Sequence, residues 1–229
     1  HWMFISSNGG LSAGRKNSEH ALFPYYTDDK ITEFAHITGS KTILKVTKNN
    51  KTYLWEPFSN FHAGAYNISQ NLYKNSYGNK VLFEEINNDL QLVFTYQWSS
   101  SEKFGFIKQS ALKNLSSQNI EVEVLDGLQN IIPHGVGEYI QNSSSNLVDA
   151  YKRSEINKQS GLGIYALSAI IVDKAEPSEA LKTNVVWSLG LPKSKYLASS
   201  LQLNKFRNGL DVESEDDVKA EKGAYFAVS

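Results

Sequence analysis

The sequence predicts an all-β fold, with two stacked and mostly antiparallel sheets and one or two short helices. Strand-like runs rich in β-branched and aromatic residues recur through residues 42–128 and 161–191, and turns rich in Asn, Asp and Ser separate them. Several runs alternate apolar and polar residues, which is typical of strands with one buried face. Residues 146–153 are the best helix candidate, because a Ser- and Asn-rich stretch precedes residues that share one apolar helical face.

Two β-hairpins are predicted in the first half of the chain. Residues 41–46 ("KTILKV") and 51–58 ("KTYLWEPF") flank the turn signal "TKNN". Residues 79–86 ("NKVLFEEI") and 90–98 ("LQLVFTYQW") flank "NND" in the same way. Each pair is therefore expected to form two adjacent antiparallel strands.

A third hairpin is predicted within residues 104–128, "FGFIKQSALKNLSSQNIEVEVLDGL". Residues 106–112 and 119–128 can each run as a strand, and the polar residues between them tolerate turn conformations. Asp126 is expected to cap a turn, because it precedes Gly127.

The second half of the chain continues the β pattern. Strands are predicted within residues 161–172 and 183–189, and the acidic residues 211–223 are expected to form a solvated loop. An apolar strand, "AYFAVS", ends at the last residue. Because a strand is normally followed by a turn and a partner, we expect the chain to be a fragment of a longer protein.

We expect residues 1–229 to form a single domain, since one all-β domain can reach this length. Residues 1–40 are rich in turn-forming residues and are predicted to be an ordered N-terminal loop segment. Burial of the apolar residues in this segment would hold the loop against the domain; they are Leu22, Phe23, Tyr25 and Tyr26.

Composition excludes several classes of function. The formal net charge is −1 with both signs interspersed, so neither nucleic acid nor a membrane is expected as a partner. The chain has no cysteine, which excludes disulfides and thiolate chemistry. No apolar run approaches the roughly 18 residues of a spanning helix. The chain does not begin with a signal peptide, and the compartment of this soluble protein stays open between cytoplasm and periplasm.

Catalytic signatures are missing from the sequence. The five histidines have no metal-ligand spacing, and there is no nucleophile-elbow motif. Glu84 and Glu85 are adjacent in a predicted strand, so they point to opposite faces and do not form an acid pair. Asp173, Glu176 and Glu179 are the other candidate carboxylates. We expect no catalytic residue, no metal site and no cofactor in this chain.

Five residues are candidates for contacts with sugar or phosphate: Arg15, Lys16, His20, Trp55 and His134. "NGGLSAGRK" places three glycines before Arg15 and Lys16, and such a stretch can offer backbone N–H groups and a cation to an oxyanion. Tryptophan can stack on the C–H face of a sugar ring. A structural loop and a core tryptophan remain the alternatives.

The order of motifs in residues 66–128 resembles a known family. Tyr73 and "YGNKVLFEE" precede "LQLVFTYQW", and Lys108, Leu112 and Asn114 form a Lys-x-x-x-Leu-x-Asn pattern in the next strand. This order is similar to the N-terminal β-supersandwich of the cellobiose and chitobiose phosphorylases, glycoside hydrolase family 94. "YLWEPF" resembles a tryptophan-containing strand upstream in that family, and "AEPSEAL" followed by "VVWSLGL" resembles phosphorylase-like proteins.

The resemblance implies a large two-sheet antiparallel β-supersandwich of the galactose mutarotase-like type. It also implies a non-catalytic N-terminal domain that supports an (α/α)₆ catalytic barrel and contacts sugar. The expected partners are an oligosaccharide, the C-terminal catalytic domain and a second copy of the chain. Two alternatives are a free-standing carbohydrate-binding or interaction module, and a mutarotase-type epimerase, which needs a histidine and a glutamate that converge on the sugar.

Overall fold

Four small antiparallel sheets form the molecule and are arranged as a four-bladed β-propeller. The structure is a computed structural model that describes residues 1–169 and 182–229. Strands make up 46% of it, so the molecule is mostly β, but the predicted two-sheet supersandwich is wrong. The hydrophobic pattern marks individual strands, and it does not specify how many sheets they form.

Sixteen strands are present in the described residues, and their bounds are β1 Trp2–Ile5, β2 Leu11–Gly14, β3 Ala21–Phe23, β4 Gly39–Lys48, β5 Lys51–Trp55, β6 Ile68–Lys74, β7 Lys80–Asn87, β8 Leu92–Ser101, β9 Gly105–Asn114, β10 Glu121–Ile131, β11 Lys152–Asn157, β12 Leu162–Leu167, β13 Asn184–Val186, β14 Lys195–Leu197, β15 Asp217–Lys219 and β16 Gly223–Val228. The α-helices of the same residues are short, and they are α1 Asp28–Glu33, α2 Glu138–Ser143, α3 Ser145–Tyr151 and α4 Leu203–Arg207. No helix in these ranges is long and apolar enough to cross a membrane.

The four sheets differ in how far apart their strands lie in the sequence. The first sheet has the order β1-β2-β3, and the third has the order β6-β7-β8-β9, so both are built from consecutive strands. The second sheet has the order β14-β16-β10-β4-β5, and the fourth has the order β13-β12-β11-β15. In both of these, strands from distant parts of the chain pair with each other.

The two hairpins predicted from the turn residues "TKNN" and "NND" are confirmed. Strands β4 and β5 pair through the turn residues Asn49 and Asn50, which have φ values of 53° and 59°. Asparagine tolerates this left-handed region better than most residues, and two such residues form the turn that fits a tight hairpin. Strands β7 and β8 pair along their length, as the "NND" signal predicts. The predicted helix at residues 146–153 corresponds to α3.

The predicted hairpin of residues 106–112 and 119–128 is wrong. In the described part of the chain strand β9 pairs with β8 and with no other strand, whereas β10 lies between β4 and β16 in another sheet. The polar segment between them is a crossing from one sheet to the next, and it is held by Asn114, whose side chain contacts Ser116 and Gln118. Turn-forming residues therefore show where strand β9 ends, and they do not show which strand pairs with it.

Asp126 and Gly127 lie inside β10 and do not form a turn. A Cβ atom on Gly127 would collide with the backbone oxygen of Tyr225 in β16, so this position requires glycine. The Asp126 carboxylate accepts a hydrogen bond from the Lys108 ammonium group at 2.7 Å. This ion pair joins the third sheet to the second.

Residues 1–40 contain secondary structure where a loop was predicted. They form the three-stranded first sheet and α1. Phe23 is fully buried, and Tyr26 stacks on Phe34 with 4.5 Å between ring centroids. The aromatic residues thus anchor the segment, but the strands of three and four residues are too short for an alternating pattern to reveal them.

A central core lies between the sheets and takes residues from all four of them, including Phe23, Trp55, Phe83, Trp98 and Tyr165. A second cluster lies on the other side of the second sheet, where α4 covers Ile43, Leu125 and Phe226. Strand β16 is buried along all six residues, because both of its faces and both of its edges are covered. The second sheet is therefore the centre of the structure.

Candidate functional site

An open cleft of about 1080 Å³ lies against the inner face of the third sheet. Its wall is formed by the end of α1, the beginning of β4, the segment after β5 and the helix α4. Side chains with amide, hydroxyl, aromatic and cationic groups line it; those used below are Asn8, Lys41, Phe61, Gln70, Tyr96, Gln129, Asn130 and Arg207. The cleft brings together residues from segments that are far apart in the sequence.

Behind one wall, Glu56 forms a buried ion network with two cations. The Lys41 ammonium group lies 2.6 Å from Glu56 Oε2, and the Arg207 guanidinium group donates to both carboxylate oxygens. Burial by itself raises the pKa of Glu56, but the hydrogen bonds and charges of Arg207 and Lys41 outweigh it and hold this pKa below its ordinary value. The carboxylate thus stays ionised and fixes both cations at the cleft wall.

A second buried carboxylate, Glu85, orders the segment that follows β5. It accepts hydrogen bonds from the indole Nε1–H of Trp55, the backbone N–H of Phe58 and the side-chain amide of Gln70, each at 2.7 Å. Phe58 has a φ of 60°, which is unusual for a bulky residue. The hydrogen bond from Phe58 to Glu85 therefore helps to hold a strained turn in place.

Tyr96 lies at the floor of the cleft. Only 3% of the residue is exposed, and its ring stacks on Phe83 with 4.6 Å between centroids. Its hydroxyl group makes no hydrogen bond within residues 1–169 and 182–229, and a Cβ atom on Gly9 would lie 2.6 Å from it. Burial raises the pKa of Tyr96 far above its ordinary value, so the hydroxyl is a neutral donor that can meet a ligand in the cleft.

Phe61 presents an aromatic ring at the rim of the cleft, and 65% of the residue is exposed. The Arg207 guanidinium carbon lies 4.6 Å from the ring centroid, a distance typical of a cation–π contact. The Glu56 carboxylate holds the same guanidinium from the other side. Arg207 therefore supports the ring from within the protein and leaves it available to a ligand.

Amide side chains complete the polar lining. Gln129 donates to the backbone oxygen of His36 at 3.2 Å, and Asn130 donates to the Thr38 hydroxyl at 3.3 Å. Asn8 donates to the backbone oxygen of Thr32 at 3.0 Å. Gln129 and Asn130 each have the N–H side of the amide fixed by the protein, so the amide oxygen can accept hydrogen bonds from a ligand. The Asn8 oxygen instead accepts from the Ser6 hydroxyl and the Gly10 backbone N–H, which makes Asn8 a structural part of the wall.

The structure places the sequence-predicted site residues away from this cleft. Arg15 and Lys16 are exposed in the turn between β2 and β3, and His20 follows on the same turn. Trp55 is buried, and its indole N–H is occupied by Glu85. His134 is exposed between β10 and α2.

His134 nevertheless lies within electrostatic range of His20. Partial burial lowers the pKa of His134 first, and the positive charges of Lys182 and His20 lower it further. His20 also contacts the side chain of Asn17 at 2.7 Å. His134 is thus near enough to His20 and Lys182 for their charges to act on it, whereas Trp55 is buried in the core.

The glycines of "NGGLSAGRK" serve close packing. A Cβ atom on Gly10 would collide with the backbone oxygen of Ile31, and one on Gly14 would lie 2.7 Å from the Trp2 ring. These contacts explain the glycines without a bound phosphate group. Arg15 and Lys16 follow as exposed cations at the tip of the turn.

Glu84 and Glu85 point to opposite faces of the third sheet, as the strand period predicts. Glu85 is buried, while Glu84 accepts from Asn71 and Tyr73 on the outer face. Asp173, Glu176 and Glu179 lie outside the described residues. In the part of the chain that is described, no three His, Asp or Glu side chains cluster so that they could hold a metal ion.

No protein-family model matches the chain, and no curated protein matches it either.

Sequence reasoning missed the residues that form the cleft. Phe61 lies in "SNFHAG", a segment with no hydrophobic period, and Tyr96 reads as an ordinary strand residue. Arg207 is 151 positions away from Glu56, its partner. The sequence offers one signal for this site: Phe61 stands among turn-forming residues, where a large apolar side chain is not explained by burial in a strand or helix.

Proposed function

We propose that the cleft binds carbohydrate and that the chain is a non-catalytic, sugar-contacting part of a carbohydrate-active enzyme. The observation that carries this proposal is that one cleft contains the exposed Phe61 ring, the fixed amides of Gln129 and Asn130, and the Tyr96 hydroxyl, which has no partner in the described part of the chain. A sugar ring has an apolar C–H face for an aromatic side chain, and its hydroxyl groups can both donate and accept hydrogen bonds.

The non-catalytic part of the proposal is supported by the use of the buried carboxylates near the cleft. Glu56 is paired with two cations, and Glu85 accepts three hydrogen bonds. A general acid needs a proton to donate, whereas Glu56 is held ionised by its partners. Both carboxylates therefore have structural roles in this proposal, and the chemistry belongs to a catalytic domain elsewhere in the enzyme.

Phe61→Ala is expected to weaken saccharide binding about five- to tenfold, because an aromatic contact contributes about 1 kcal/mol beyond simple burial. The measurement is isothermal titration calorimetry of the chain with cello- and chito-oligosaccharides. Phe104→Ala is the matched control, since Phe104 is also exposed and also lies under a cation, Lys103, but does not line the cleft. Equal affinities for wild type and Phe61→Ala would contradict the proposal, and so would the lack of binding by any saccharide.

The cationic turn of Arg15, Lys16 and His20 is proposed to face the catalytic domain or its substrate. Arg15→Ala is expected to leave the unfolding midpoint unchanged, since Arg15 is exposed and its side chain has no partner within the described ranges. In a protein that joins this chain to a catalytic domain, the same change should lower turnover or sugar affinity. Lys51→Ala, an exposed cation in another sheet, is the control. Unchanged kinetics would refute this role for the turn.

A further inference from the structure

Strand β6 is an unprotected edge of the third sheet. Among the strands of residues 1–169 and 182–229 it pairs with β7 alone, and all seven of its residues are exposed. Ile68 and Leu72 are 42% and 48% exposed. Natural proteins commonly protect such an edge with proline, several charges, a bulge or a covering segment, but β6 has only one charged residue, Lys74 at its end.

The hydrogen-bond register identifies which backbone groups are free. Asn67 accepts from the backbone N–H of Asn88, and Asn75 donates to the backbone oxygen of Lys80, so the odd-numbered residues bond to β7. The even-numbered residues direct both backbone groups away from the sheet. These outward residues are Ile68, Gln70, Leu72 and Lys74.

The opposite edge of the same sheet, β9, is better protected. It carries Lys108 and Lys113, and Lys108 reaches across to Asp126 and to the Gly127 carbonyl oxygen in β10. The edge strand β5 of the second sheet has five residues and begins with Lys51. Among the described strands, β6 is therefore the longest free edge that lacks charges in its interior.

We propose that two copies of this chain associate through β6, antiparallel and edge to edge, about a two-fold axis at Asn71. In this register Ile68 faces Lys74 of the second copy and Gln70 faces Leu72 of the second copy. Both are pairs of outward residues, so the free N–H and C=O groups of one edge meet those of the other. The two four-stranded sheets become one continuous sheet.

Side chains support a second copy as the occupant. No like charges face each other, because Lys74 lies opposite Ile68 and its methylene stem can cover that side chain. The two Asn71 residues form the central pair, where Cα atoms of directly opposed residues lie about 4.5 Å apart and the amides can hydrogen-bond. Ser69 lies opposite Tyr73. The strand is thus complementary to itself in the register that uses all of its free backbone groups.

A two-fold axis in a continuous antiparallel sheet is perpendicular to the sheet, so equivalent faces of the two copies lie on the same side. Gln70 lines the cleft and points to the same face as Glu85. Both clefts would therefore open on one side of the dimer and could engage one polymeric ligand together. This consequence rests on the proposed function, whereas the pairing of β6 does not.

The first test is sedimentation equilibrium of the 229-residue chain over a concentration series. The wild type is expected to dimerise, and Asn71→Lys is expected to raise the dimer dissociation constant at least about fivefold, because it places like charges opposite each other. Within one copy the new lysine lies beside Glu84 and is tolerated. A wild type that stays monomeric throughout the series overturns the proposal.

A second variant, Leu72→Pro, blocks pairing through the free edge of β6 without adding charge. Leu72→Pro deletes an outward N–H, so it costs no hydrogen bond to β7, and it should weaken the dimer tenfold or more. Ser110→Pro is the matched control, because Ser110 is exposed and directs its N–H outward from β9, and the dimer should persist. Circular dichroism checks that each variant is folded. A dimer of unchanged affinity in folded Asn71→Lys or Leu72→Pro places the interface elsewhere and overturns the proposal.

Discussion

Replacing Glu56 with glutamine is expected to lower the free energy of unfolding by about 3 kcal/mol, because it leaves two largely buried cations without their carboxylate. Lys41 and Arg207 lie in β4 and α4, so Glu56 joins these two elements by charge and the substitution weakens that link. Urea unfolding followed by tryptophan fluorescence measures the change. An unfolding free energy within 1 kcal/mol of the wild type would show that the network is not a major source of stability.

Ionisation of Glu56 also makes the free energy of unfolding depend on pH, and its lowered pKa gives the direction of that dependence. The pKa of Glu56 is lower in the folded chain than in the unfolded chain, so folding favours the ionised form. This stability is fully present above the unfolded pKa and is lost as pH falls through the folded pKa. The wild type should therefore lose more stability than Glu56→Gln on acidification, and equal losses would contradict the assignment.

Two further variants separate the charge network from general effects of mutation. Asp216→Asn breaks the exposed pair with Lys158, which water screens, and should leave the unfolding midpoint close to that of the wild type. Adding Lys41→Met to Glu56→Gln removes one of the two unpaired cations and should recover part of the lost stability. No recovery would mean that the loss arises from packing and not from charge.

Local parts of this fold were predictable because neighbouring residues decide them. Asn49 and Asn50 adopt the left-handed conformation of a tight turn, and the hairpin of β4 and β5 follows from it. The two-residue period of a strand separates Glu84 from Glu85. In each case the determining residues and the structure they form lie within a few positions of each other.

The arrangement of the sheets was not predictable from these signals. Strand β16 pairs with β10, about a hundred positions earlier in the chain, and nothing in "AYFAVS" distinguishes a central strand from an edge strand. The polar segment after β9 looks like a hairpin turn but connects two sheets. Burial on both faces and the choice of partner strand depend on the whole chain, so a local pattern cannot specify them.

The cleft escaped prediction for the same reason, since it is formed by contacts between distant segments. Trp55 is a tryptophan, the residue type expected to bind sugar, yet its indole ring is buried in the core, where its N–H donates to Glu85. Phe61 takes the exposed position instead. The link between the two is Glu85, which holds the Trp55 indole and the turn that precedes Phe61.

Glu85→Ala is therefore expected to lower the free energy of unfolding by about 3 kcal/mol or more, because it leaves the buried indole N–H of Trp55 and the partly buried backbone N–H of Phe58 without an acceptor. It should also weaken saccharide binding, since the strained turn before Phe61 loses its support. Glu84→Ala is the matched control on the exposed face, and its effect on unfolding should stay within about 0.5 kcal/mol. Urea unfolding and calorimetry report the two effects, and equal stabilities of the two variants would disprove the role assigned to Glu85.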